Sequence, residues 1–132
     1  MTTEPEKTMD EVIRSDGRYP PEAYGFLHES LARAIKSAHG VDIPGAGGQH
    51  HVSGRQICEA ARDLAIERWG MLAEVVLGRW NIRGTIDLGN MVYLLINHGM
   101  WRKTEQDSLE DFRDVFDFGS ALLPAMDFEL KE

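Results

Sequence analysis

Cysteine is almost missing from this chain: Cys58 stands alone among 132 residues. An internal disulfide and any multi-cysteine metal site are thereby excluded. CxxC and HExxH spacings are absent as well, and with them the common redox and zinc-hydrolase signatures. Neither GxxxxGKS/T nor GxGxxG occurs, so no loop carries the glycine pattern that cradles a nucleotide phosphate. Long apolar runs are lacking too. The longest covers residues 91–96, far too short to span a bilayer. Bases are scarce relative to acids, 14 against 22, which leaves a net charge of −8. No cofactor and no membrane partner are expected. The acidic, polar start of the chain (MTTEPEK) reads as neither a signal nor a transit peptide, and a cytoplasmic location follows as the expectation.

What is present is ordinary globular composition, 42% hydrophobic and 27% charged, at a length that fits one domain with one core. Residues 1–8 read as a disordered leader, 9–123 as a single helical domain and 124–132 as a tail. Charge is placed unevenly. Residues 1–52 hold 8 acids and 5 bases, residues 53–103 hold 5 and 7, and residues 104–132 hold 9 and 2. The middle third is thus slightly basic and the last strongly acidic. A general nucleic-acid binder needs a positive face on the whole domain, so this split disfavours one while leaving a local basic spot open.

Helix grammar is strongest between residues 52 and 100. Ser53 and Gln56 form a capping-box pair, and Val52 and Ile57 occupy the two positions of a hydrophobic staple. The stripe Ile57, Ala61, Leu64, Ala65 faces a core, and Gly70 ends that helix, with Met71 expected to fold back on Ile66. A second helix over 72–80 stops at Asn81, with Ile82 closing on Leu77. A third begins with Thr85 as its cap, buries Leu88, Met91, Val92, Leu95 and Ile96, and ends at Gly99, with Met100 closing on Leu95. Upstream, Thr8 caps a short helix over 9–14. Pro20-Pro21 opens another running to about residue 38, with Gly40 as its stop. Residues 39–51 (HGVDIPGAGGQHH) read as a flexible connector. Residues 100–102 and 112–118 are short enough for strands or extended arms, and Asp117 is a candidate cap for a last short helix. The expected fold is therefore mainly α, a small single domain of four to five helices, with a two-stranded element near the C-terminus as an option.

The segments RYPPEAYGFLHESL (18–31), HVSGRQI (51–57), RWNIRGTIDLGNMVYLL (79–95) and KTEQDSLEDFRDVFDF (103–118) resemble, in that order, a family of short uncharacterised bacterial proteins met especially in planctomycete- and verrucomicrobium-type bacteria. The resemblance covers residues 18–118. It implies no activity, cofactor or substrate, and hence no functional residues. Asn81 stands where the family pattern has glycine, in keeping with its role as a left-handed helix stop.

Three constellations are candidates for function. His50 and His51 with Cys58 offer metal-ligand or thiol chemistry, set against the reading of Cys58 as a small core residue beside Ile57 and Ala61. The acidic, aromatic run Asp107, Asp111, Phe112, Asp114, Phe116, Asp117 is a candidate protein-binding arm, although its aromatics serve equally to cover the helical core. It lacks the oxygen-ligand spacing and glycine of a calcium loop. Arg79, Arg83, Arg102 and Lys103 flank a helix–loop–helix over 72–98 with a winged-helix outline. Its would-be recognition helix, from residue 85, holds no lysine or arginine to read a base. The favoured role is a non-catalytic module that binds another protein. The alternatives are a winged-helix-like nucleic-acid-associated protein and a small metal- or thiol-dependent enzyme.

Overall fold

The computed structural model describes residues 8–39, 52–101 and 108–122, apart from the side chains of 38 and 39. The leader over residues 1–7, most of the glycine-rich connector and the tail beyond residue 122 lie outside the described residues. The architecture is helical throughout: α1 (Met9–Asp16), α2 (Pro21–His39), α3 (Gly54–Trp69), α4 (Ala73–Arg79), α5 (Thr85–Asn97) and α6 (Phe118–Ala121). Two 3-10 turns, Gly70–Leu72 and Leu109–Phe112, complete it. Among the described residues there is no strand. Of residues 112–118, considered for an extended arm, Phe112 ends the second 3-10 turn and Phe118 begins α6, while 113–116 form turns and bends and Asp117 caps α6 by accepting from the Ser120 amide.

Local signals set the helix ends. Thr8 and Ser53 both make complete capping boxes, with Glu11 and Gln56 as the reciprocal partners. Val52 and Ile57 are both buried. After α4 the Ile82 amide reaches back to the Leu77 carbonyl at 2.9 Å and the Asn81 amide to Gly78 at 3.0 Å, while Asn81 sits at φ 68°. That is a Schellman stop, and its hydrophobic pair, Ile82 and Leu77, is buried. The same pair of bonds recurs at the end of α5, from Met100 to Leu95 (2.8 Å) and Gly99 to Ile96 (3.0 Å).

Two expected ends differ. Gly70 does have a positive φ, 55°, but its ψ of −127° lies far from the left-handed helical well. The chain therefore does not fold back. It enters the 3-10 turn and turns Met71 outward, 62% exposed, instead of onto Ile66. Thr85 is not the cap of α5 but its first residue, behind Gly84. Its side chain is needed inside: the hydroxyl donates to the Phe112 carbonyl at 2.6 Å and accepts from the Val115 amide at 3.1 Å. The capping task passes to Asp87, whose Oδ2 accepts from the amides of Arg83 (2.8 Å) and Gly84 (3.1 Å).

α3 lies at the centre, packed along α2 and touching α4, α5 and both 3-10 turns, and no residue of α5 from 85 to 96 is fully exposed. Residues 108–122 close the remaining side. Phe112 inserts between α3 and α5 at two places where the helices lack a side chain. A Cβ built on Gly54 would fall 3.0 Å from the Phe112 ring, and one on Gly89 only 2.7 Å from it. Glycine is required at both for the aromatic ring to seat.

Candidate functional site

The sequence-derived candidates divide once placed. Cys58 is wholly buried in the core cluster with Ile57, Ala61 and Leu88, and burial pushes its thiol up to about 12. A thiol so placed is held protonated and is a poor nucleophile or metal ligand at neutral pH. His50 and His51 lie outside the described residues. Among those described, no group of three histidine, cysteine or acidic side chains is arranged to hold a metal ion. We expect Cys58 to stay unmodified by a chromogenic thiol reagent for hours in native buffer and to react within minutes in denaturant. Fast native labelling would place the side chain elsewhere. Because the unfolded thiol ionises near 9, its contribution to stability is intact below that pH and is lost as pH rises towards 12. Tyr19, raised to about 12 by burial and then by its bond to Asp87, adds to the loss above pH 10. Thermal melts should therefore drop steadily above pH 9, and less steeply for Cys58→Ala.

The acidic run is largely committed to structure. Phe112 and Phe118 are buried and Phe116 is half-buried under the Arg62 guanidinium, so the aromatics cover the core. Asp111 caps the 3-10 turn by accepting from the Ser108 amide, and Asp117 caps α6. Asp114, exposed at φ 50°, lacks such a task among the described residues; Asp107 lies outside them. The helix that a winged-helix reading would send into a groove is α5, whose residues 85–96 are all buried or half-buried.

Two features remain on the surface. The first is an apolar step on the first 3-10 turn and α4. Met71, Leu72 and Val75 are 62%, 62% and 57% exposed, and Arg79 continues the same face one turn on. The second is a cleft of about 530 Å³ between the α1–α2 and α4–α5 connections, walled by Tyr19, Pro20, Pro21 and Trp80. Arg14, Arg18, Arg79 and Arg83 all line it.

The two connections are tied together across the cleft. The Asn81 side-chain amide donates to the Arg18 carbonyl at 3.2 Å, which its left-handed backbone makes reachable. The Tyr19 hydroxyl donates to Asp87 Oδ1 at 2.6 Å and accepts from the Asn90 amide at 3.3 Å. Arg83 Nε points back to Asn81 Oδ1 at 3.4 Å, and the Arg18 guanidinium lies over the Tyr19 ring, 5.5 Å from its centre. Of the four basic residues expected to cluster, Arg79 and Arg83 do meet here, while Arg102 and Lys103 lie outside the described residues. Arg14 and Arg18 join from more than 60 positions upstream. No spacing in the sequence signalled them; the bonds of Tyr19 to Asp87 and Asn90 and of Asn81 to the Arg18 carbonyl join the two segments.

No family model, curated protein or solved structure matches the chain. Among the described residues no helix is long and apolar enough to cross a membrane.

Proposed function

We propose that this protein is a non-catalytic, cytoplasmic protein-interaction module, and that its docking face is the step formed by Met71, Leu72 and Val75. The observation that carries this is the joint exposure of three large apolar side chains on one face, each more than half open to solvent. Burying them in a partner would recover about 25 cal/mol for each Å² removed from water. The step is continued by Arg79, which makes no ion pair among the described residues. Charge complementarity selects a partner helix whose apolar face is flanked by acids. The free, buried Cys58 fits a reducing compartment. The kinship with short bacterial proteins suggested by the four segments belongs to this proposal and does not alter it.

Tagged protein purified from its source organism, with and without nuclease, tests the reading directly when run beside Leu72→Glu/Val75→Glu. The expected result is a stoichiometric protein that survives nuclease and is lost from the double variant, whose melting temperature stays within about 2 °C of the parent because exposed sites tolerate substitution. A partner retained by the double variant rules out the step. Partners lost on nuclease treatment would transfer the role to nucleic acid and to Arg79 and Arg83.

A further inference from the structure

Each described arginine outside the cleft pairs with an acid: Arg33 with Glu67, Arg55 with Glu59, Arg62 with Asp63, Arg68 with Glu29 and Arg113 with Glu110. Within the cleft Arg14 pairs with Asp10 at 2.7 Å. Among the described residues, Arg18, Arg79 and Arg83 pair with no carboxylate. In a chain of net charge −8 the guanidiniums left unneutralised among the described residues thus line one concavity. Asp16 and Asp87 lie beside it but are already engaged, Asp16 accepting from the Arg18 amide and Asp87 from the Tyr19 hydroxyl and the Arg83 and Gly84 amides.

We propose that the cleft binds a single phosphate group, with Arg18, Arg79 and Arg83 as its guanidinium ligands and the Asn81 side chain holding their two connections at fixed separation. A phosphate dianion offers three terminal oxygens and two charges to several forks, against the two oxygens and single charge of a carboxylate. Arg18 is steadied by the Tyr19 ring and Arg83 by Asn81, so less side-chain freedom is lost on binding than for free surface arginines. The cleft volume is that of a small-molecule site, and Trp80 with Pro20 and Pro21 gives the body of a phosphate ester an apolar wall. An extended polyanion is disfavoured by the acidic remainder of the chain, whereas one phosphate is not. The cleft shares Arg79 with the docking step but not Met71, Leu72 or Val75, so Leu72→Glu/Val75→Glu should leave phosphate binding intact.

Titration of isotopically labelled protein with inorganic phosphate, followed by backbone amide shifts at constant ionic strength, is the test. Shifts confined to the amides of residues 17–19 and 78–84 are expected, with acetate at least about fivefold weaker. Arg79→Gln/Arg83→Gln should weaken phosphate binding about five- to tenfold with an unchanged melting temperature, in line with two exposed ion pairs. Arg113→Gln should leave it unaltered. Shifts spread over the surface, or affinity retained in the double variant, would overturn the site. Glycerol phosphate and a phosphoserine peptide then separate the sources: the tighter of the two identifies a small molecule or a modified side chain as the carrier.

Discussion

Phe112→Ala is expected to destabilise the protein by about 3–5 kcal/mol, the cost of emptying a fully buried aromatic site. Phe112 is 4% exposed and closes the seam between α3 and α5. Its neighbours cannot relax into the space, because Gly54 and Gly89 contribute backbone alone there. The loss also loosens the Phe112 carbonyl from the Thr85 hydroxyl, a bond made inside the core. Urea titration checks this, with a fall in melting temperature on the order of 10 °C for a chain of this size. A change under 1 kcal/mol would mean that residues 108–122 do not cover the core in solution. Gly89→Ala probes the same seam from the opposite side, since its methyl would meet the ring at 2.7 Å.

Phe26→Ala should have an effect of the same size, about 3–5 kcal/mol. Phe26 is 3% exposed, and its ring centre lies 5.5 Å from that of Trp69 and 5.9 Å from that of Trp80. The two indoles meet each other edge-on at 5.4 Å. One phenyl group therefore joins α2 to the end of α3 and to the connection after α4. Its removal should quench the near-ultraviolet circular dichroism of the tryptophans as well as lower the denaturation midpoint. A destabilised variant with an unchanged tryptophan signal would separate the ring cluster from the packing role assigned to it. The variant should also weaken phosphate binding, since Trp80 forms a wall of the cleft.

The helix ends were legible because their chemistry is local. Ser53 with Gln56, Asn81 with Ile82 and Gly99 with Met100 each act within six residues, and each behaves as its spacing predicts. Thr85 was misread for the opposite reason. A threonine before an apolar run satisfies the capping rule, and its actual partners lie 27 and 30 residues downstream. Asp87, in the first turn of α5, carried the true signal. Met71 was misplaced because the sequence shows that glycine ends the helix but not which ψ it takes. The acidic segment was half legible: its aromatics needed burial and found it, while the division of its acids into caps and Asp114 depends on turn geometry. Least legible was the basic cleft. Its halves are separated by 63 residues at the Arg18–Asn81 bond, and nothing in either half names the other.

The seam filled by Phe112 also bears on how the chain is made. Synthesis runs from the N-terminus, so residues 108–122 are added to the chain after α1 to α5. A nascent chain that has reached Trp101 has bare backbone at Gly54 and Gly89 and an unoccupied Thr85 hydroxyl. The apolar floor that Phe112, Phe118 and Leu122 later cover is open. Helices can assemble at that stage, but the core cannot shut until the last segment arrives. A message cut short in this window therefore yields a product with its interior on display.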